Sequence, residues 1–302
     1  MSVTAAQVKE LRELTQAPMM ECKKALMACN GNIEAAISEL YKLGKSKAQK
    51  KSGRIAAEGI IAISTLEDGQ AAAMVEVNSE TDFVARETRF QKFVVDLAAL
   101  ALKEESDNIE HLSQSRLSDS GMTVEEARLN LIHTLGENIK IRRVIFGACS
   151  EGTVAVYVHG GEKCGRIGAL VALKNSQDLS LARNLAMHVA AMAPDYLTID
   201  EIPETRKALE LERAKTSTAD NEVAQTPEKK ETIIKKALNK SLLGLALMSQ
   251  GYIRNPKKSV SSLFENTNIE IAQFVRFEVG LGIEKKEDNF VAEVMSQVNQ
   301  TS

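Results

Sequence analysis

The chain has 302 residues, a formal net charge of −3, and 44% hydrophobic and 26% charged residues, a composition typical of a folded protein of about two domains. This charge balance excludes an overall basic field that would attract nucleic acid or a membrane surface. The absence of tryptophan and the 4% aromatic content disfavour a base-stacking platform for single-stranded nucleic acid. No apolar run reaches the length of a membrane span and the first residues lack a signal-peptide pattern, so we expect a cytoplasmic protein without membrane contact.

The first 44 residues have the periodicity of three short helices. Thr4 caps the first helix, Pro18 starts the second, and Asn32 caps the third, which we expect to end at Gly44. The first helix is expected to bury one apolar face, formed by Val8, Leu11 and Leu14. Met19 and Met20 are adjacent and point about 100° apart on a helix, so we expect one of them to pack inward.

The segment from Lys45 to Arg54 is basic and is interpreted as a solvated linker. A nucleic-acid-binding arm is the alternative function for such a segment. No aromatic residue interleaves its charges, which favours the linker.

A strand-to-helix corner follows. Ile60 to Thr65 and Ala71 to Val77 are predicted strands joined by an Asp68-Gly69 turn. Thr81 or Asp82 then caps a helix predicted to run to Leu102, with its apolar positions at a 3.6-residue period. Phe83 lies at this corner, and two interpretations remain open: the ring projects outward, or it packs under its own helix.

Between this corner and the second half of the chain, two weaker patterns occur. Residues 103 to 121 are polar and are predicted to be irregular or weakly helical. Thr123 is predicted to cap a further helix, and residues 136 to 144 alternate as in a strand.

The second half of the chain repeats the pattern coarsely. Two strands, 154–158 and 167–173, flank a glycine-rich turn, and the segment 176–180 is followed by a helix through Leu185, Val189 and Met192. Residues 201 to 250 read as two helices separated by a polar break from Thr216 to Pro227, which predicts an antiparallel hairpin. A helix starting at Ser259, a returning strand at 269–279 and a terminal helix at 287–298 complete the prediction.

No pattern points to catalysis. The four cysteines and four histidines lack the spacing of a metal site, and reduced thiols are expected. His159 and Cys164 are close in sequence, but no third orienting residue accompanies them. The glycines from Gly160 to Gly168 lack the Gly-Lys-Ser/Thr ending of a phosphate loop, and a hairpin explains them better. We therefore predict no catalytic residue, no metal and no cofactor.

Two long motifs resemble one family. They are Glu-Val-Asn-Ser-Glu-Thr-Asp-Phe-Val-Ala-Arg at 76–86 and Leu-Arg-Glu-Leu-Thr-Gln-Ala-Pro-Met-Met-Glu-Cys-Lys-Lys-Ala-Leu at 11–26. Both are similar to signatures of the elongation factor Ts family, the nucleotide exchange factors of the translation GTPase elongation factor Tu. Pro18 departs from the glycine that is usual in the family, but proline is acceptable at a first helical position.

The resemblance implies three contact sites for elongation factor Tu. The site that dislodges magnesium would comprise Thr81, Asp82, Phe83 and Val84. Contacts to the GTPase domain would come from Leu11, Arg12, Met19, Met20 and Lys23. A contact to another domain would come from His159 and Gly160. The resemblance also implies a possible homodimer through the helical hairpin.

The predicted fold class is α+β, with a two-part core and an internal pseudo-repeat. The expected parts are a three-helix ubiquitin-associated-like domain (1–44), a linker (45–58), two core subdomains (59–150; 151–200 with 252–283), a coiled-coil hairpin (201–251) and a C-terminal helical module (284–302). Two other function classes remain as alternatives. One is an adaptor for a ubiquitin-like protein or nucleic acid, and the other, less favoured, is a small-molecule enzyme using the Gly160 loop.

Overall fold

The computed structural model describes residues 3–15, 17–118, 121–219 and 227–284. Helices and strands are mixed along the chain, and the predicted α+β class is confirmed. The helices are α1 (Ala5–Thr15), α2 (Met19–Ala28), α3 (Ile33–Lys51), α4 (Asp82–Ala85), α5 (Thr88–Lys103), α6 (Ile109–Gln114), α7 (Val124–Leu135), α8 (Leu179–Met192), α9 (Glu204–Ala219) and α10 (Pro227–Leu245). The strands are β1 (Glu58–Thr65), β2 (Ala71–Ser79), β3 (Lys140–Ala148), β4 (Gly152–His159), β5 (Cys164–Gly165), β6 (Ile167–Lys174), β7 (Gly251–Tyr252), β8 (Asn255–Ser259) and β9 (Glu270–Glu278).

The chain divides into two compact units. The first contains residues 1–62, 75–144 and 278–302, and the second contains 63–74 and 145–277, within the described ranges. A four-stranded sheet has the order β3-β2-β1-β5, a three-stranded sheet the order β4-β6-β9, and β7 pairs with β8. The domain boundaries expected from the sequence stay predictions.

The three N-terminal helices pack around a small apolar core. Asn32 caps α3 as predicted, since its side chain accepts a 2.9 Å hydrogen bond from the Ala35 N–H. The prediction that this helix ends at Gly44 is wrong, because α3 continues to Lys51 and includes much of the basic segment. A Cβ on Gly44 would lie 3.6 Å from the Leu129 carbonyl oxygen and 3.7 Å from the His133 Cβ. This glycine therefore lets α3 approach α7 closely and does not terminate the helix.

The helix predicted from Asp82 to Leu102 is two helices. A break at Arg86-Glu87 separates α4 from α5. Glu87 has an extended backbone, and its carboxylate accepts from the N–H groups of Arg89 (2.7 Å) and Phe90 (3.2 Å). A carboxylate that satisfies the free N–H groups of a first turn starts a new helix, which explains the break.

The stretch after α5 agrees with its prediction in part. The polar segment contains one short helix, α6, and Thr123 caps α7 in a capping box with Glu126. β3 begins at Lys140, after the left-handed Gly136 that ends α7.

The second unit contains the predicted strand–turn–strand–helix. β4 and β6 are antiparallel, with Gly152 opposite Lys174 and His159 opposite Ile167, and α8 packs on them through buried apolar residues. The returning strand is confirmed as β9, next to β6. The helix predicted from Ser259 is wrong, since β8 ends there and only a short 3₁₀ turn follows. The Ser259 hydroxyl accepts from the Ser262 N–H as a helix cap would, but the turn that follows ends at Leu263.

The two helices of the predicted hairpin, α9 and α10, pack against each other. The break was predicted to begin at Thr216, but α9 continues to Ala219. Buried Glu210 of α9 accepts a 2.6 Å hydrogen bond from the Ser241 hydroxyl of α10. The terminal helix predicted at 287–298 lies outside the described residues.

Candidate protein-binding site at the strand-to-helix corner

The corner is a single helical turn that follows a buried strand. All residues of β2 are buried, and α4 starts three residues after its end. Thr81 caps α4, and its Oγ1 accepts from the Val84 N–H at 3.5 Å. The sequence named Thr81 or Asp82 as the cap, and the structure selects Thr81.

Phe83 projects outward from this turn. Its surface is 80% exposed, whereas Val84, the next residue, is 7% exposed and Ala85 is also buried. The interpretation that Phe83 packs under its own helix is therefore wrong. Val84, predicted as a partner contact, instead packs inward and holds the turn on the core. A large aromatic ring at a fixed, exposed position is the kind of side chain that anchors protein interfaces.

Asp82 lies beside Phe83 at the surface. Its Oδ2 pairs with an Arg86 Nη2 at 2.7 Å, and both side chains reach solvent. Exposed pairs of this kind contribute little stability, so a partner can redirect either group at a small cost in free energy.

A buried carboxylate anchors the strand that leads to the corner. Glu76 is fully buried and lies 2.9 Å from Arg142 and 2.5 Å from Arg143, and it accepts from the Gly280 N–H at 3.1 Å. Burial raises the pKa of Glu76, but the Gly280 hydrogen bond and the two guanidinium groups outweigh it and hold the pKa below its ordinary value. Glu76 therefore stays charged and ties β2 to β3 and to the segment after β9.

The N-terminal set agrees with the sequence in part. Met19 and Met20 are 54% and 62% exposed, so the expectation that one packs inward is wrong. The inner face of α2 is formed by Cys22, Ala25 and Leu26, and the two residues that begin the helix, Met19 and Met20, lie outside the buried part. Arg12 and Lys23 are also exposed.

Leu11, by contrast, is completely buried in the three-helix core, so its side chain supports the module from within. The inner face of α1 uses Thr15 where Leu14 was expected, and Leu14 is exposed. Exposed Leu14 and Met27 are apolar residues that the sequence reasoning missed as surface candidates. Met27 departs from the stripe of buried positions on α2, which is the signal that could have identified it, whereas Leu14 follows the period of α1 and no pattern in the sequence marks it as exposed.

His159 ends β4 in the second unit, Gly160 follows it, and both are exposed. The His159 Nδ1 lies 3.0 Å from the Tyr157 hydroxyl, which orients the ring. Gly160 has a φ of +98°, a conformation that favours glycine at this turn.

Comparisons with known proteins identify the family. The protein-family model described as "Elongation factor TS" matches residues 80–281. An elongation factor Ts of Legionella pneumophila (strain Lens) is 47% identical over 297 residues, which covers 98% of this chain and 99% of that protein. Those of Alkalilimnicola ehrlichii and Xylella fastidiosa are 42% and 44% identical, and each comparison covers at least 98% of both chains. The chain belongs to the elongation factor Ts family.

Membership of this family implies the role of a nucleotide exchange factor for elongation factor Tu. Across the ranges that the structure describes, no three His, Cys, Asp or Glu side chains are grouped so that they could hold a metal ion. Burial raises the pKa of the Cys164 thiol, which makes it a weaker nucleophile. Among the described helices, none is long and apolar enough to cross a membrane.

One cluster of ionisable groups, in which His133 is buried and its two partners are half-buried, was not predicted. Glu21 of α2 lies 2.7 Å from the Lys47 Nζ of α3 and 2.6 Å from the His133 Nε2 of α7. The His133 ring nitrogens lack well-aligned hydrogen bonds, so we interpret the 2.6 Å approach as a polar contact. Burial lowers the pKa of His133, an effect that the Glu21 carboxylate opposes. This cluster connects the N-terminal helices to α7 within the first unit.

Proposed function

We propose that this chain binds elongation factor Tu in its GDP-bound form and accelerates the release of GDP, so that GTP can replace it. The observation that carries the proposal is Phe83, an exposed aromatic ring held at a corner by buried neighbours. A ring with few rotamers can enter a partner without a large loss of conformational entropy.

Exchange by this route needs no chemistry from the chain. By linkage, a factor that weakens GDP binding is itself bound less tightly when GDP is present. GTPases hold the nucleotide through backbone donors, a lysine and a magnesium ion. Phe83 would displace the elements that organise the magnesium, and the Asp82 carboxylate would redirect polar groups near the cation. About 4 kcal/mol of coupling would accelerate release about a thousandfold.

The other surfaces extend the interaction. Arg12, Met19, Met20 and Lys23 are exposed together on α1 and α2 and would bind the GTPase domain, with flexible methionines suited to an adaptable contact. His159 and Gly160 would bind a separate domain of the partner. The hairpin of α9 and α10 would mediate self-association, and the cytoplasm would be the location of this activity.

Release of fluorescently labelled GDP from elongation factor Tu tests the proposal. Wild-type chain should accelerate release strongly, and Phe83→Ala should lose most of the acceleration while its circular dichroism stays native. Leu66→Ala is the matched control, because Leu66 is an exposed apolar residue outside the proposed contacts. No acceleration by the wild-type chain would refute the proposed function, and full activity of Phe83→Ala would refute the role of the ring.

A further inference from the structure

Two segments that are distant in sequence exchange carboxylate contacts at the corner. The Glu137 carboxylate accepts hydrogen bonds from the Thr81 N–H (3.0 Å) and the Thr81 hydroxyl (2.5 Å). In return, the Glu80 carboxylate accepts from the Asn138 N–H at 2.6 Å. We call these four residues, Glu80, Thr81, Glu137 and Asn138, the corner clamp.

The corner clamp contacts α4, a helix that is not stable by itself. α4 has four residues, far fewer than an isolated helix needs for stability in water. Thr81 is its cap, and its hydroxyl has a single hydrogen. Because that hydrogen is donated to Glu137, the oxygen lone pairs are left for the Val84 N–H. Glu137 therefore orients the hydroxyl that starts the turn carrying Phe83.

The far side of the clamp is itself anchored. Glu137 follows Gly136, which ends α7 in a left-handed conformation with a φ of +81°. The Asn138 amide donates to the Arg54 carbonyl at 2.8 Å, and the Arg54 guanidinium lies 3.5 Å from Glu80. Glu137 thus follows the end of a packed helix, and its hydrogen bonds to Thr81 fix the corner relative to that helix.

We propose that Glu137 is a positioning residue, which holds α4 so that Phe83 is presented in the orientation needed for binding. The proposal rests on the proposed function, in which Phe83 enters the partner. Glu137 needs no contact with the partner itself. It acts by ordering the turn before binding, which reduces the entropy lost when the complex forms.

The chain alone tests the ordering. It has no tryptophan, so Phe83→Trp introduces a single tryptophan at an exposed position. In this reporter, Glu137→Gln should cause a loss of nanosecond fluorescence anisotropy, because the amide cannot accept from both Thr81 donors as a carboxylate does. Glu87→Gln is the matched control, since the Glu87 carboxylate also accepts from donors at the start of a helix, but from two backbone N–H groups of α5. Unchanged anisotropy in Glu137→Gln, or an equal loss in both variants, would overturn the proposal.

Labelled-GDP release then tests the consequence. Glu137→Gln should reduce the acceleration about tenfold, as expected when a charge-assisted hydrogen bond is weakened. In the Phe83→Ala background the same substitution should cause no further loss, whereas additive losses would overturn a role through Phe83. Thr81→Val should reproduce the defect and Thr81→Ser should retain activity, which keeps the test decisive if Glu137→Gln does not fold. Absence of any wild-type acceleration would refute the proposed function separately, and the anisotropy measurement would still decide whether Glu137 orders the turn.

Discussion

Phe83 and Val84 are neighbours in one turn, yet the Phe83 ring faces solvent and the Val84 side chain packs inward. Successive helical residues point about 100° apart, so a single turn can present one side chain while another fastens it to the core. Thr81 and Asp82 complete this division, since Thr81 caps the turn and Asp82 stays at the surface beside Phe83. At the residue scale, the segment from Thr81 to Val84 therefore combines two presented side chains with two that hold the backbone.

Magnesium dependence tests how Phe83 acts. If the ring disturbs the cation site, GDP release should be much faster with wild-type chain than with Phe83→Ala at millimolar magnesium. The difference in rate should be small in excess chelator, where the GTPase already lacks the ion. A ligand shifts an equilibrium only by its differential affinity for the two states, and chelation removes the part due to the cation. Release rates of labelled GDP with wild-type chain and Phe83→Ala, at several free-magnesium levels, measure this. A Phe83→Ala defect of constant size would mean that the ring works through docking or the phosphate loop.

At the scale of elements, the N-terminal helices contact the rest of the first unit directly, and not through a linker alone. α3 extends to Lys51 and packs on α7, and Glu21 contacts both Lys47 and His133. A truncation at residue 44 would cut α3 within its packed length. The exposed methionines of α2 are thus carried by a module whose orientation in this unit is set by helix packing.

Two buried histidines, His133 of the Glu21 cluster and His188, predict that the free energy of unfolding depends on pH. His133 and His188 are buried, and burial lowers the pKa of each below the ordinary value of about 6.5. The unfolded chain then binds protons more readily than the folded chain, so stability is complete above about pH 6.5 and falls as the pH decreases below it. Each unit of difference in pKa is equivalent to about 1.4 kcal/mol. The groups that face His133 are Glu21, which opposes the shift, and Lys47 and Lys51, which support it.

Denaturant unfolding between pH 7.5 and 5.5 measures this slope. His133→Gln should reduce it, because one of the two buried rings is gone. His159→Gln is the control and should leave the slope unchanged, since its ring is exposed. An identical slope in wild type and His133→Gln would show that His133 contributes nothing to the pH dependence.

At the scale of the whole molecule, the two units carry different parts of the proposed activity. The corner and the N-terminal contacts belong to the first unit, and His159, Gly160 and the hairpin belong to the second. Hydrogen bonds join the segments that lead into and out of the hairpin, since the Tyr196 N–H donates to Leu245 and the Leu247 N–H donates to Tyr196. The chain therefore enters and leaves the hairpin through neighbouring segments.

Replacement of residues 204–243 by a short Gly-Ser link should abolish self-association and preserve exchange. Leu209 and Leu243 are exposed apolar residues on α9 and α10 and would lie in the dimer contact. Light scattering measures the mass of the variant, and labelled-GDP release measures exchange. A folded, monomeric variant without exchange activity would contradict this assignment.

The sequence by itself determined the features that depend on local chemistry. Asn32 and Thr123 cap the helices for which they were predicted, because a cap needs only its own first turn. The strand pairs around Asp68-Gly69 and His159-Gly160 follow from alternation and turn residues. The motif at 76–86 was sufficient to indicate the family.

Only the tertiary structure decided which of these residues are accessible and what holds them. Periodicity suggested that Leu14 was buried and one of Met19 and Met20 packed inward, but helix packing left all three exposed. Gly44 resembles a helix end in sequence, whereas close contact with α7 makes it an interior residue of α3. Glu137 lies 56 residues from Thr81, and no local pattern connects them. Long-range contacts depend on how the whole chain packs, so the exposure of Phe83 and the clamp that holds it became visible only in the folded molecule.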